Sequence, residues 1–207
     1  MIRGVFEGWA LTLAMLFSLS HPPALGKIRQ GVIVRNPIKV AGSGRKVTVT
    51  LAPALEQALR RQFPGFQVAD SGDFSQYIGP AQMEVPPKLF VPFACVGDFD
   101  GNGLPDVALM LKNSRRRWLF VAFHQTYRGT FRPYRIDASR WSHDQLIDGT
   151  GKVEIFLEAL PLRKYFPEAL HLKHDDRRDG IHSVWDEEAS RLFYFRDGRY
   201  RYLQTSD

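Results

Sequence analysis

The segment Gly97-Asp98-Phe99-Asp100-Gly101-Asn102-Gly103-Leu104-Pro105-Asp106 constrains this chain more than any other. Counted from Asp98, carboxylates stand at the first, third and ninth positions and an amide at the fifth. Apolar runs flank it, 90–96 before and 107–111 after, and both read as strands. The chain must therefore reverse between two extended segments while crowding acidic side chains into the bend. Gly103 permits the sharp turn where a side chain would clash. This alternation predicts that Asp98, Asp100 and Asn102 turn their oxygens toward one point, that the Leu104 carbonyl faces the same point, and that Asp106 closes the far side. Hard oxygen donors in a flexible cage suit calcium, whereas magnesium demands tighter octahedral geometry and keeps its waters. An EF-hand is excluded, because its twelfth position needs a bidentate Glu and here holds Leu109, and because its flanks should be helices. The competing reading is a metal-free Asp/Asn/Gly turn. It leaves three spaced Asp and an Asn to repel one another.

The run from Cys95 through Leu109 resembles the FG-GAP/VCBS-type repeat, whose core is G-D-F-D-G-D-G-x-x-D between apolar strands. The resemblance spans about 92–123. It implies a calcium loop with Asp98, Asp100, Asn102 and Asp106 as side-chain ligands and Leu104 as the backbone ligand. Members of that family repeat the unit to build propeller blades of ~40–50 residues. One good copy stands here, with 148–155 at most a decayed echo, so a full propeller is not expected. The layout as a whole is similar to small exported bacterial proteins, a likeness that implies no activity.

Export is the reading of the N-terminus. Arg3 precedes the apolar run Trp-Ala-Leu-Thr-Leu-Ala-Met-Leu-Phe-Ser-Leu (9–19), which suits a signal-peptide core and falls short of the ~20 apolar residues of a membrane span. His21-Pro22-Pro23 breaks a helix, and Ala24-Leu25-Gly26 offers small residues for cleavage after Gly26. Glu7 departs from the usual pattern, and a buried or anchoring N-terminal helix is the competing reading. The expected organisation is a signal peptide over 1–26 and one β-rich domain over 27–207, destined for the periplasm or the exterior.

Composition narrows the classes. A chain of 207 residues with 44% hydrophobic and 13% aromatic residues has material for a core and is not disordered. Its single cysteine excludes an intramolecular disulfide framework or a Cys-rich metal cluster. Cys95, among apolar neighbours, reads as a small buried hydrophobe rather than a reactive thiol.

The remaining elements follow from periodicity. Strands are predicted over 31–40, interrupted at Asn36-Pro37, and over 47–51, with a turn at Gly42-Ser43-Gly44. A helix over 53–63 opens on Pro53 and repeats Ala54, Leu55, Ala58, Leu59 and Phe63 at helical spacing before Pro64-Gly65 ends it. Residues 70–87 read as loop with one short element. Further strands are expected at 106–111, 118–123, 131–136 and 153–157, with one helical turn within 160–170. Asp197-Gly198 joins 192–196 and 199–203 as a hairpin. The expected fold is α+β and β-rich, an antiparallel sheet with one main helix and the calcium loop between two strands.

Weaker constellations carry less. His171, His174 and His182 near Asp175, Asp176 and Asp179 could ligate zinc, but 175–180 reads as a solvated charged loop. His143-Asp144 makes no triad without geometry. Glu154 and Glu158 could be paired glycosidase carboxylates. No G-x-S-x-G, H-E-x-x-H, P-loop or C-x-x-C occurs. The formal charge of +6 and the arginines 115–117, 128, 132, 135 and 140, interleaved with aromatics, fit an anionic envelope polymer or lipid surface better than nucleic acid. They fit the wet face of an antiparallel sheet better still. The principal expectation is an exported protein with a structural calcium ion. The alternatives are a binding module or inhibitor at an anionic surface and a carboxylate-dependent hydrolase.

Overall fold

The computed structural model describes residues 32–43, 46–75, 91–136, 152–185 and 189–206. β1 (Ile38–Ser43) and β2 (Lys46–Leu51) form a two-stranded antiparallel hairpin. α1 (Pro53–Gln62) follows at once. Pro53 occupies the first turn, where its missing N–H costs no bond. Leu55, Ala58 and Leu59 make its buried face, and on its wet side Arg60 pairs with Glu56 one turn back at 2.6 Å. Phe63 caps the helix and is buried, its N–H donating to the Leu59 carbonyl.

The first large sheet is antiparallel and contains β3 (Phe66–Val68), β4 (Ala94–Gly97), β5 (Asp106–Asn113), β6 (Trp118–Gln125) and β7 (Phe131–Ile136). β5 is its axis. β3 and β4 share one edge of it end to end, β6 lies on the other edge, and β7 lies beyond β6. Val107 through Leu111 and Phe120 through Phe123 are buried without alternation, as strands covered on both faces must be. On one face Phe123 meets Phe63 of the helix end edge-on at 6.1 Å, and the Arg135 guanidinium lies over the same ring. Buried side chains of this kind each contribute about 1.5–3 kcal/mol.

The other face looks onto the second antiparallel sheet: β8 (Ile155–Pro161), β9 (Asp179–Trp185), β10 (Ala189–Arg196) and β11 (Arg199–Ser206), paired in that order. Tyr134 of β7 packs on Phe195 of β10 at 4.8 Å, and His124 of β6 shares a hydrogen bond with Tyr200 of β11. On the opposite side the Leu157 N–H donates to the Pro92 carbonyl beside β4. Among the described residues the two ladders stay separate and form no closed barrel. A short α2 (Leu162–Tyr165) brings Leu162 onto the outer face of the second sheet, where it joins Leu170 and Leu192 in a satellite core.

The molecule is thus β-rich and antiparallel with one main helix. Several boundaries differ from the sequence reading. The first strand starts only after Pro37, because proline has no N–H to donate. It runs on through Ser43, into the segment expected as a turn. The expected strand 90–96 is confined to Ala94–Gly97: Pro92 interrupts it, and Val96 is exposed. The strand expected at 153–157 begins at Ile155; Val153 instead makes an isolated parallel bridge to Phe74. β9 was not anticipated, since its Asp-Gly-Ile-His-Ser-Val-Trp sequence follows a charged run. Of the segment 70–87 only 70–75 are among the described residues, and they contain a 3-10 turn, Ser71–Asp73. The segment 1–26, His143-Asp144, Arg140 and the turn at 148–151 lie outside the described residues.

Candidate functional site

The acidic segment is the connection between β4 and β5, placed where the first sheet meets the start of β9. Gly97 allows that approach, since a Cβ there would stand 2.7 Å from the Phe99 ring and 2.9 Å from the Asp179 carboxylate. The Asp98 N–H donates to Asp179 Oδ2 at 2.9 Å, and the Asp179 N–H donates to the Asp98 carbonyl at 2.8 Å. Phe99 points inward and is fully buried, pinning the first half of the bend.

Each acidic side chain then has its own environment. Both Asp98 oxygens accept backbone N–H bonds, Oδ1 from Gly101 and Oδ2 from Gly103, each at 2.9 Å. Asn102 accepts the Leu104 N–H through Oδ1 at 2.7 Å and donates through Nδ2 to the Gln125 carbonyl and to Asp100 Oδ2. Leu104 buries its side chain. Asp106 is fully buried: Oδ2 accepts from the N–H groups of Phe99 and Asp100, and Oδ1 accepts from the Gln125 N–H at 2.7 Å. Burial pushes the Asp106 carboxyl up to about 8; the Gln125 N–H opposes this and the Asp100 charge adds to it. Burial also raises Asp100, and the Asp98 charge contributes in the same direction.

The loop therefore brings Asp100 and Asp106 together, and with them a residue the sequence reading did not select. One ligand atom from each of Asp100, Asp106 and His124 lies within 4.8 Å of the other two. Asp98 stands outside this trio, at the neck of the loop, and Asn102 faces Gln125. His124 is 3% exposed and its Nδ1 has no hydrogen-bond partner, while standing 3.5 Å from Asp100 Oδ2. Its Nε2 lies 2.8 Å from the Tyr200 hydroxyl, and the rings of Tyr134 and Phe195 each sit 4.5 Å from the imidazole. Burial lowers His124 to about 4, so the ring is neutral at physiological pH. A signal for it existed. In the β5–β6 hairpin Val107 faces Phe123, so one step further along the ladder Asp106 comes level with His124.

Gln125 ties the site together. Its side chain accepts the Val34 N–H at 2.5 Å and donates to the carbonyls of Val34 and Pro105 at 2.9 and 3.1 Å. The Tyr127 hydroxyl donates to the Asn102 carbonyl at 2.7 Å.

The weaker constellations are dispersed. His182 bonds Glu158 at 2.7 Å across β8 and β9; His171 and His174 lie in the exposed connection before β9. Glu154 precedes β8, the strand that carries Glu158. Arginines 115–117 occupy the β5–β6 turn and Arg128 the β6–β7 turn, at opposite ends of β6, so they do not share one patch. An open groove of about 460 Å³ between β2, α1 and β3 contains a single acid, Glu56, which is paired with Arg60. Cys95 is buried and free, and burial pushes its thiol well up. No described helix is long and apolar enough to cross a membrane. Comparison of the chain with protein-family models, with curated proteins and with solved structures finds no match.

Proposed function

We propose that this is an exported calcium-binding protein whose ion has a structural role, fixing the β4–β5 connection against both sheets. Asp98, Asp100, Asn102, Asp106 and the Leu104 carbonyl are its ligands in this reading, and residues 1–26 direct export. The observation that supports it best is the crowding of Asp100 and Asp106. Two carboxylates, one of them fully buried, converge with no Lys or Arg between them among the described residues. Burial and the neighbouring acid push the Asp106 carboxyl up to about 8, so the pair resists ionising together, and a divalent cation would let both carboxylates carry their charge. The donor chemistry is mostly hard oxygen, as calcium prefers.

The magnitude follows from mass action. Extracellular calcium modules have Kd values of ~10⁻⁴–10⁻³ M. At ~1 mM calcium and a Kd of ~0.1 mM the stabilisation is about 1.4 kcal/mol. Such an ion secures a loop; it does not hold up the whole core. The test is thermal unfolding of chelator-treated protein with and without calcium, paired with titration calorimetry. Calcium is expected to raise Tm in the wild type and to leave Asp100→Ala unchanged. A variant that keeps the full calcium response removes this assignment.

A further inference from the structure

We infer that the same loop has an inner cation position, formed by Asp100, Asp106 and His124, which takes a first-row divalent cation of the zinc or manganese class and competes with calcium for the two shared carboxylates. This rests on the reading that the loop binds a divalent cation, and it adds a nitrogen ligand from β6 that no calcium loop needs.

The argument starts from His124. A buried polar atom without a partner is rare and costly. His124 is 3% exposed, and Nδ1 is unbonded while aimed at the carboxylates. The other ring nitrogen is engaged with Tyr200, the usual arrangement of a metal-ligating histidine whose remote N–H is held by a second group. With the proton on Nε2, given to the Tyr200 oxygen, Nδ1 presents its lone pair toward Asp100 and Asp106. The flanking rings of Tyr134 and Phe195 hold the imidazole in that orientation. The three ligand atoms already lie within 4.8 Å of one another, and an ion bonded to all three at about 2.0–2.2 Å would draw every pair to within about 4.4 Å. The carboxylates are likewise oriented by outer bonds: Asp106 by the N–H groups of Phe99, Asp100 and Gln125, and Asp100 by Asn102.

The donor set decides the class of ion. Calcium takes six to eight oxygens and gains little from imidazole. One imidazole and two carboxylates suit zinc, manganese or cobalt, with remaining positions left to water. An ion there would use Asp100 and Asp106, so calcium in the outer cage and a first-row ion in the inner position exclude each other.

The test uses Co²⁺ as a visible probe on the purified, chelator-treated protein. One equivalent of Co²⁺ should give d–d absorption bands, and Zn²⁺ should bleach them. Added calcium should raise the apparent Kd for Co²⁺. His124→Gln should weaken Co²⁺ binding at least tenfold, while its calcium-dependent Tm rise persists. Should that variant fail to fold, the wild-type Co²⁺ form answers alone: proton NMR should show one exchangeable imidazole N–H shifted far outside the diamagnetic range. Co²⁺ binding that is equally tight in His124→Gln, or a Co²⁺ form without that resonance, overturns the inner site. Calcium binding with no Co²⁺ binding overturns the inner site and leaves the calcium reading standing. Co²⁺ binding that needs His124, without any calcium response, removes calcium and keeps the inner site. Silence to every cation removes both.

Discussion

Gln125→Met separates hydrogen bonding from packing at the point where the N-terminal arm meets the acidic loop. Gln125 is fully buried, and its side-chain amide makes three bonds, to Val34 N, Val34 O and Pro105 O. Methionine fills nearly the same volume, so the cavity contribution is small. What remains is three lost bonds at about 0.5–1.5 kcal/mol each, or roughly 1.5–4.5 kcal/mol together. Val34 is half-buried, and water can reach part of what it loses. The lower half of that range is therefore expected, about 2 kcal/mol. For a chain of this size that lowers Tm by about 4–8 °C. The Gln125 backbone bonds to Asp106 and Asn102 do not involve the side chain, so the loop should keep its shape and its cation response. Urea unfolding gives the global loss, and amide hydrogen exchange gives its location. Val34 should exchange faster while the amides of the β5–β6 ladder stay protected. A loss below about 0.5 kcal/mol with Val34 still protected would refute the idea that this amide anchors the arm.

Three further outcomes are expected. Gly198→Ala should cost about 1 kcal/mol in equilibrium unfolding, because Gly198 sits at φ 77° in the β10–β11 turn, where a Cβ is strained. Lys112 bonds Asp70 at 2.9 Å and Asp73 at 2.5 Å, and its hydrogen bond holds the Asp70 carboxyl below its ordinary 3.8. A depressed acid contributes stability that is full above its unfolded pKa and is lost as pH falls through the folded one, so Lys112→Met should flatten the acid limb of stability against pH. Cys95 should react slowly with a thiol reagent in the native protein and at the rate of a free thiol in urea, because its buried thiol resists ionisation.

What was legible in the sequence was what local rules decide. α1 announced itself through Pro53 and a 3.6-residue apolar repeat, and its buried face is Leu55, Ala58 and Leu59 as that repeat requires. The hairpin at Asp197-Gly198 was written in its turn residues, and both adopt positive φ, at 53° and 77°. The apolar runs at 106–111 and 118–123 announced the strands β5 and β6, whose middles are buried without alternation. What was hidden depended on partners distant in sequence. β9 carries Asp, Gly, His and Ser, and its strand character comes from pairing with β8 and β10: His182 faces Glu158 on one neighbour and Leu192 on the other. His124 looked like a lone polar residue at a strand end, and only the hairpin register brings it level with Asp106. Asp98 and Asn102 looked equivalent to Asp100 in spacing. Spacing alone does not show the further contacts each makes, and here Asp98 also accepts the N–H groups of Gly101 and Gly103.

That division explains how so short a loop can matter to the whole molecule. At its neck, the Asp98 N–H donates to the Asp179 carboxylate and the Asp179 N–H donates to the Asp98 carbonyl, and the two bonds tie the end of β4 to the second sheet. Across its far side, Asp106 and Asn102 hold the backbone of Gln125, whose side chain in turn holds the arm at Val34. Between these ties His124 reaches Tyr200 on β11, the strand farthest in the second sheet from β8. A cation on Asp100 and Asp106 would therefore act at a place where arm, first sheet and second sheet are joined by consecutive polar contacts. Its binding energy is a fraction of the ~5–15 kcal/mol of a typical domain, so it would not decide whether the chain folds. It would decide how firmly the two sheets are registered against each other, because the cores on either side of the junction are apolar and fix burial without fixing alignment.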